Sequence, residues 1–261
     1  MKNLNLFLYI SLVRYGSINL IFKKLKKHNI SVILDMEDSA QDLFDDENNK
    51  YLKKISRDGL KYLADKNFLE NVNTYVRVNS KKSIFYKKDI ETIKDILKNG
   101  SKINGIFLPK VENHNQVKDC YEQLSNSNSD YISIVPMIET KKGLENLDHI
   151  LLEDRNKNMI KYVHYGHYDF CLENNLWPFP EPYHFEYWKI VNEISKKVIR
   201  HKKKYIHTPF PLINNENIYW SSINYLSKSL GDDEINISLV NINTIYINEN
   251  KNAKQFKLKN M

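Results

Sequence analysis

Short blocks of consecutive apolar residues alternate along this chain with longer stretches in which apolar residues return every three or four positions. The blocks fall at 6–11, 31–35, 74–79, 105–110, 132–139, 161–169, 204–207 and 235–240. They are rich in Ile, Val, Leu, Phe and Tyr and show no in–out alternation, the pattern of strands buried on both faces. The intervening stretches predict helices. Leu20, Ile21 and Leu25 mark one over 17–28, with Ser17 as its cap. Leu52, Ile55 and Leu60 mark a second over 50–63, after a polar loop at 41–49. Ile90, Ile93 and Leu97 mark a third over 88–98, stopped by Gly100. Further helices are predicted over 113–124, around Leu144, Leu147, Ile150 and Leu151, over 185–200, and over 218–230 up to Gly231. Residues 176–182 carry three prolines and no periodicity, which predicts a rigid surface loop.

Eight predicted strands alternate with helices, and Arg77, Pro109, Glu139 and Asp169 recur at intervals of about thirty residues, the length of one strand–helix unit. Buried strands of this kind form a parallel sheet, and eight such units close into a TIM (β/α)₈ barrel. The expectation is one α/β barrel domain over 1–261, with a frayed Lys- and Asn-rich tail from about 249. An open doubly wound sheet is the alternative, but no Gly-rich phosphate loop follows the first strand. In a barrel the site lies at the C-terminal ends of the strands. Asp35, Glu37, Arg77, Lys110, Glu139 and Asp169 all fall there in the predicted layout.

Those residue types suggest a chemistry. Glu139 and Asp169 end neighbouring strands, and Mg²⁺ characteristically takes one or two protein carboxylates and fills its remaining positions with water and substrate oxygen. The competing reading makes them helix caps or partners of lysines. Arg77 interrupts a strand that otherwise reads as buried, so it needs a partner. An internal salt bridge to Glu37 or Asp38 would serve, and so would a planar clamp on a substrate carboxylate; the two are compatible. Asp35, Glu37 and Asp38 crowd three carboxylates into four positions. Mutual repulsion raises pKa values, which suits general acid/base work, while capping with Ser39 or holding metal-bound water are the bland alternatives. Lys110 either neutralises a substrate anion or pairs with Glu112. His164 and His207 end strands and read as satisfied rim histidines before catalytic ones, although His207-Thr208-Pro209 is also placed to face a substrate. Trp177, Phe179 and Trp188 read as packing, with a lid or an oligomer contact as the alternative.

Composition narrows the classes. The net charge is +7 over 261 residues, but the lysines are dispersed among helix-forming residues and no compact basic motif with interleaved aromatics appears, so no nucleic-acid partner is expected. No apolar run approaches the length of a membrane span. Two cysteines, Cys120 and Cys171, make neither a disulfide framework nor a zinc site, which points to the cytoplasm.

Five segments occur in a telling order: Leu34-Asp35-Met36-Glu37-Asp38-Ser39, Val76-Arg77-Val78-Asn79, Leu108-Pro109-Lys110-Val111-Glu112, Met137-Ile138-Glu139-Thr140 and Tyr165-Gly166-His167-Tyr168-Asp169. Together they resemble the HpcH/HpaI aldolase/citrate lyase family, well over roughly 5–175 and poorly beyond. The resemblance implies a TIM barrel assembled as a homo-oligomer, a trimer or hexamer. It implies Mg²⁺, with Mn²⁺ as a substitute, held by Glu139 and Asp169, and Arg77 on the substrate. The Asp-x-Glu-Asp cluster is closer to the citrate lyase beta-subunit branch. The expected activity is a Mg²⁺-dependent carbon–carbon lyase or aldolase acting on a 2-oxo acid or acyl-CoA-type substrate through a metal-stabilised enolate. Arg77, Asp35, Glu37 and Asp38 would be catalytic, with Arg77 and Lys110 binding substrate. The late acidic residue of the CoA lyases has no counterpart in the run 241–248. That departure motivates the alternative, a barrel that has lost the reaction and binds a small carboxylic acid or a protein partner.

Overall fold

The computed structural model describes residues 3–25, 30–125, 132–155, 157–210, 215–230 and 234–241. Its eight strands are β1 (Asn3–Ser11), β2 (Ser31–Asp35), β3 (Thr74–Arg77), β4 (Gly105–Leu108), β5 (Ser133–Ile138), β6 (Tyr162–Tyr165), β7 (Lys204–His207) and β8 (Glu234–Leu239). They pair in sequence order, all parallel, and β1 pairs with β8 to close the barrel. This is the predicted TIM-type α/β barrel. The helices are α1 (Ile18–Leu25), α2 (Asp46–Asp65), α3 (Tyr86–Lys98), α4 (His114–Ser125), α5 (Lys141–Glu145), α6 (Leu147–Glu153), α7 (His167–Glu173), α8 (Phe185–Arg200) and α9 (Glu216–Ser229). No described helix is long and apolar enough to cross a membrane.

Side chains on a strand alternate between the barrel interior and the helix layer. The outward set, such as Leu8, Ile10, Val32, Leu34, Val76 and Ile106, joins the inner faces of the helices in one large core. The inward set forms a second cluster of Phe7, Ile33, Tyr75, Phe107, Val135, Met137, Tyr162 and Ile206. Its rings meet edge-on or tilted, with Phe7 5.5 Å from Tyr75 and 5.4 Å from Tyr162 between centroids, the geometry that aromatic quadrupoles favour. This plug fills the barrel, so the open space lies above it, at the strands' C-terminal ends.

Three elements depart from the pattern-based expectation. Helix α2 starts at Asp46 instead of residue 50, inside the predicted loop. Asp45 caps it by accepting from the amides of Glu47 and Asn48 at 2.9 and 3.0 Å, and Asp46 and Glu47 favour the helix N-terminus. The helix expected around 144–151 is two, α5 and α6, divided at Asn146, whose side chain donates to the Glu112 carbonyl at 2.8 Å. The block 161–169 is a four-residue strand followed at once by α7, a helix the sequence reading did not anticipate. His28, Gly231 and the tail from 249 lie outside the described residues.

Candidate active site

β2 ends in Asp35 and β3 in Arg77, neighbours in register. The guanidinium grips Asp35 with both edges of its fork: Nε donates to Oδ1 at 2.7 Å and Nη2 to Oδ2 at 2.6 Å. Nη1 donates to Asp38 Oδ2 at 2.8 Å and lies 3.1 Å from Glu37 Oε2 without hydrogen-bond geometry. The predicted salt bridge therefore exists, with Asp35 as its main partner. Asp35 also accepts from the amides of Glu37 and Ser39. Two further residues pin the loop that follows. Buried Lys53 donates to the carbonyls of Met36 and Glu37, at 3.1 and 2.6 Å, and Asn79 Nδ2 donates to that of Met36 at 3.0 Å.

This wiring separates the three carboxylates. Burial pushes the Asp35 carboxyl up, but Arg77 and the donated hydrogen bonds more than offset it and hold it below its ordinary value. Glu37 moves the other way. Burial, joined by repulsion from Glu139, Asp38 and Asp35, raises it well above the usual carboxylate range despite Arg77. Asp38 is exposed and closes the clamp from outside.

Glu139 follows β5 directly and is buried. Its Oε2 accepts from the Lys110 amide at 2.9 Å. Lys110 adopts a left-handed backbone, φ 53°, which costs a non-glycine residue of order 1–3 kcal/mol and is found at functional sites. Burial, then the nearby charge of Asp169, push the Glu139 carboxyl up to about 8. Gly166, at the start of α7, leaves room for Glu139: a Cβ there would lie 2.4 Å from both Glu139 Cγ and Oε1.

Asp169 is not at a strand end, as the spacing suggested, but in the first turn of α7. It still reaches the same rim. Its Oδ1 lies 3.2 Å from Lys110 Nζ, with 42% of the lysine side chain and 32% of the aspartate side chain exposed. Lys110 thus does not pair with Glu112, which meets Lys82 and Lys142 instead. Burial lowers the Lys110 ammonium, but Asp169, Glu139 and Glu37 outweigh it and raise the group overall.

A cavity of about 560 Å³ lies over the barrel plug. Asp35, Asp38, Arg77, Glu139 and Asp169 line it, together with Tyr9, Ser11, Gly166, His167 and Thr208. Glu37 joins through Arg77, and Lys110 through Glu139 and Asp169. All seven residues singled out in the sequence are therefore contiguous. Among the described residues no group of three or more His, Cys, Asp or Glu side chains is placed to hold a metal. An ion here would draw its remaining ligands from water or a bound acid. The two carboxylates fit such an ion: both offer hard oxygen donors, and the raised Glu139 is a carboxylate lacking sufficient positive charge around it.

The two histidines part company. His164 points into the barrel, against Tyr9 and Phe107, where burial, then the charges of Arg77 and His207, press it down to about 3. His207 turns outward and is held by the hydroxyls of Tyr187 and Tyr205 at 2.9 and 3.2 Å. It does not face the cavity, although Thr208 and Pro209 do. Tyr9, Gly166 and His167 are cavity residues that the sequence reading did not assign, whereas Thr208 and Pro209 line the cavity as their place after β7 suggested. Tyr9 carried the one usable signal, since it lies two positions after Phe7 on β1 and so shares its inward face.

His167 joins the Pro-rich loop to the rim. It sits between the Tyr165 hydroxyl on Nδ1, 2.9 Å, and the Pro180 carbonyl on Nε2, 2.8 Å. Trp188 packs on Tyr225 and His207, whereas Trp177 is 79% exposed and touches Phe179.

A family model for HpcH/HpaI aldolase/citrate lyase matches residues 26–197. The chain belongs to the HpcH/HpaI aldolase/citrate lyase family. That family is one of aldolases and citrate lyases. No curated protein matches it. Among solved structures, the citrate lyase beta subunit of M. tuberculosis, complexed with oxaloacetate and magnesium, superposes with a TM-score of 0.68 at 15% identity, covering 98% of each chain. RipC from Yersinia pestis gives 0.66 at 14% identity over 94% of this chain and 93% of its own. Haloferax volcanii malate synthase, as a lead(II) complex, gives 0.74 at 13% over 98% of this chain and 75% of its own. At such identities these likenesses establish the fold.

Proposed function

We propose that this chain is a Mg²⁺-dependent carbon–carbon lyase or aldolase of the citrate lyase beta-subunit type, acting on a 2-oxo acid or an acyl-CoA-type substrate. The observation that carries the reading is the convergence of Glu139 and Asp169 on one cavity beside Arg77. Magnesium appears in the M. tuberculosis relative complexed with oxaloacetate, and this family's members supply the precedent for Mg²⁺ here, with Mn²⁺ as its substitute. Glu139 and Asp169 would hold the ion, which supplies Lewis-acid polarisation of a substrate keto oxygen.

The remaining work falls to the chain's own groups. Arg77 has committed three of its five N–H bonds to Asp35 and Asp38. Its guanidinium is thereby held rigid, with the remaining donors left to orient a substrate carboxylate. Asp35, kept ionised, is a poor base and serves as the brace of Arg77. Glu37, raised by burial and by its acidic neighbours, is the member of the cluster that holds a proton most readily, which suits it to acid/base work. Lys110 balances the acidic rim and stands close enough to meet an incoming anion. The cytoplasm and a homo-oligomeric state complete the proposal. Trp177, Tyr183 and Phe185, exposed near the start of α8, favour self-association, which light scattering tests.

Proton–deuterium exchange into pyruvate, followed by NMR, tests the reading. Exchange should require Mg²⁺ and disappear in Glu139→Gln. Exchange that survives this variant removes the metal role. A second reading, a barrel that binds a small carboxylic acid without turnover, draws support from the Lys110–Asp169 ion pair, because a lysine already neutralises one of the two carboxylates. Binding of 2-oxo acids without exchange would favour it.

A further inference from the structure

Tyr9 and His164 line the cavity, and two of their polar atoms, the Tyr9 hydroxyl oxygen and His164 Nδ1, are buried and lack a hydrogen-bond partner among the described residues. Buried polar atoms are nearly always paired, and an unmet one costs about 1–3 kcal/mol. Both side chains rest on Phe107 of the barrel plug, and their rings are 6.0 Å apart, edge to face. They form the floor of the cavity beneath Arg77, whose guanidinium lies 4.8 Å from the centre of the Tyr9 ring.

The network fixes which proton each group carries. Ser238 spends its hydroxyl proton on the His207 carbonyl at 2.8 Å. Its oxygen therefore accepts from His164 Nε2, 2.9 Å away, so Nε2 bears the ring proton. His164 Nδ1 is left as a bare lone pair. Burial and the charges of Arg77 and His207 keep the ring neutral, and burial keeps the Tyr9 phenol protonated. The floor thus offers one acceptor and one donor, both uncharged. A carboxylate or phosphate oxygen would set its own lone pairs against Nδ1. An alkyl group would leave both atoms unmet. A hydroxyl group carries both complements, a proton for Nδ1 and a lone pair for the phenol.

We propose that Tyr9 and His164 form a neutral subsite on the barrel floor that takes a hydroxyl group of the bound acid. The ligand O–H donates to His164 Nδ1, and its oxygen accepts from the Tyr9 phenol. Ser238, tied to the backbone of β7, holds the imidazole in the required tautomer and acts as a positioning residue. The subsite rests on the 2-oxo acid reading above and adds a specificity that the metal pair and Arg77 do not supply.

Matched pairs of 2-oxo acids, differing by one hydroxyl, test it by calorimetry on the whole chain with Mg²⁺. Suitable pairs are pyruvate with 3-hydroxypyruvate and 2-oxopentanoate with 5-hydroxy-2-oxopentanoate, at pH 7.5. In the wild-type protein the hydroxy acid of at least one pair should bind about tenfold more tightly, the worth of one well-made buried hydrogen bond. That ratio should fall toward one in Tyr9→Phe, which removes a single oxygen, and in His164→Phe, which keeps the ring bulk. Thermal melts confirm that the variants fold. Equal affinity within every pair, as a resident water meeting both atoms would give, overturns the subsite while leaving the 2-oxo acid reading standing. A preference that persists in both variants also overturns it. If none of the four acids binds, the parent reading fails and the subsite with it.

Discussion

Replacing Gly166 with alanine isolates the geometric claim on which the site depends. Gly166 has φ −96° and ψ 93°, an ordinary extended backbone that alanine adopts without strain. The requirement for glycine is therefore steric. An added Cβ would meet Glu139 Cγ and Oε1 at 2.4 Å, about 1.1–1.6 Å short of the 3.5–4.0 Å at which carbon atoms rest in contact. Gly166 is anchored through its own amide, which donates to the Ile138 carbonyl at 3.2 Å, so the Glu139 side chain is the part that yields. Its rotation breaks the hydrogen bond from the Lys110 amide and moves the carboxylate off the cavity wall. Overpacking of this kind costs about 1–3 kcal/mol, which lowers Tm by about 2–10 °C. Displacing one of two carboxylates should weaken Mg²⁺ by about 10–100-fold, as removal of a supporting contact does elsewhere. Calorimetric Mg²⁺ titration together with melts in the presence and absence of the ion makes the measurement. Wild-type Tm should rise with Mg²⁺, and the Gly166→Ala protein should fold but show little such rise. Unchanged Mg²⁺ affinity in a folded Gly166→Ala protein would refute the placement of Glu139 as a ligand.

Three further predictions concern the same rim. Glu139 is raised to about 8 by burial and by Asp169, so between the ordinary carboxylate value of about 4.3 and pH 8 the folded chain holds a proton that the unfolded chain releases. Metal-free stability should therefore carry a component that falls as pH rises through this window. Mg²⁺ binding should strengthen over the same range with proton release, and a pH-independent affinity from 6 to 8.5 would contradict this. Arg77→Met leaves Asp35 and Asp38 uncompensated against a largely buried clamp, and urea denaturation should show a loss of about 3–5 kcal/mol; a loss below about 1 kcal/mol would mean the clamp is slack. Lys110→Met frees a partly exposed Asp169, and since such pairs are worth about 0–1 kcal/mol, Mg²⁺ affinity should rise no more than about fivefold while the KM for a 2-oxo acid increases. An unaltered KM would remove Lys110 from substrate binding.

The barrel was written in local terms. Each strand is a short apolar run that no helical period explains, so β2 and β7 have the bounds their sequences predict. The repeat of about thirty residues sets the strand–helix count before any contact is known. The same regularity places Arg77 and Glu139 at or just beyond strand ends and groups six polar residues at one rim. What no local pattern encodes is which of those residues touch. Helix α7 was missed because its first turn, His167-Tyr168-Asp169, continues the preceding strand without a break in polarity, and its N-terminus is set by Gly166 fitting against Glu139. The partner of Lys110 is Asp169, far along the chain, in preference to nearby Glu112, because barrel closure brings the ends of β4 and β6 onto a common rim. The sorting of Asp35 from Glu37 likewise needs Arg77 in three dimensions: one carboxylate lies in the plane of the guanidinium fork and the other lies off its hydrogen-bond directions. Apolar patterning acts through area and period and survives as a one-dimensional signal. Charge pairing and tautomer depend on distances of about 3 Å, and only the closed barrel sets those.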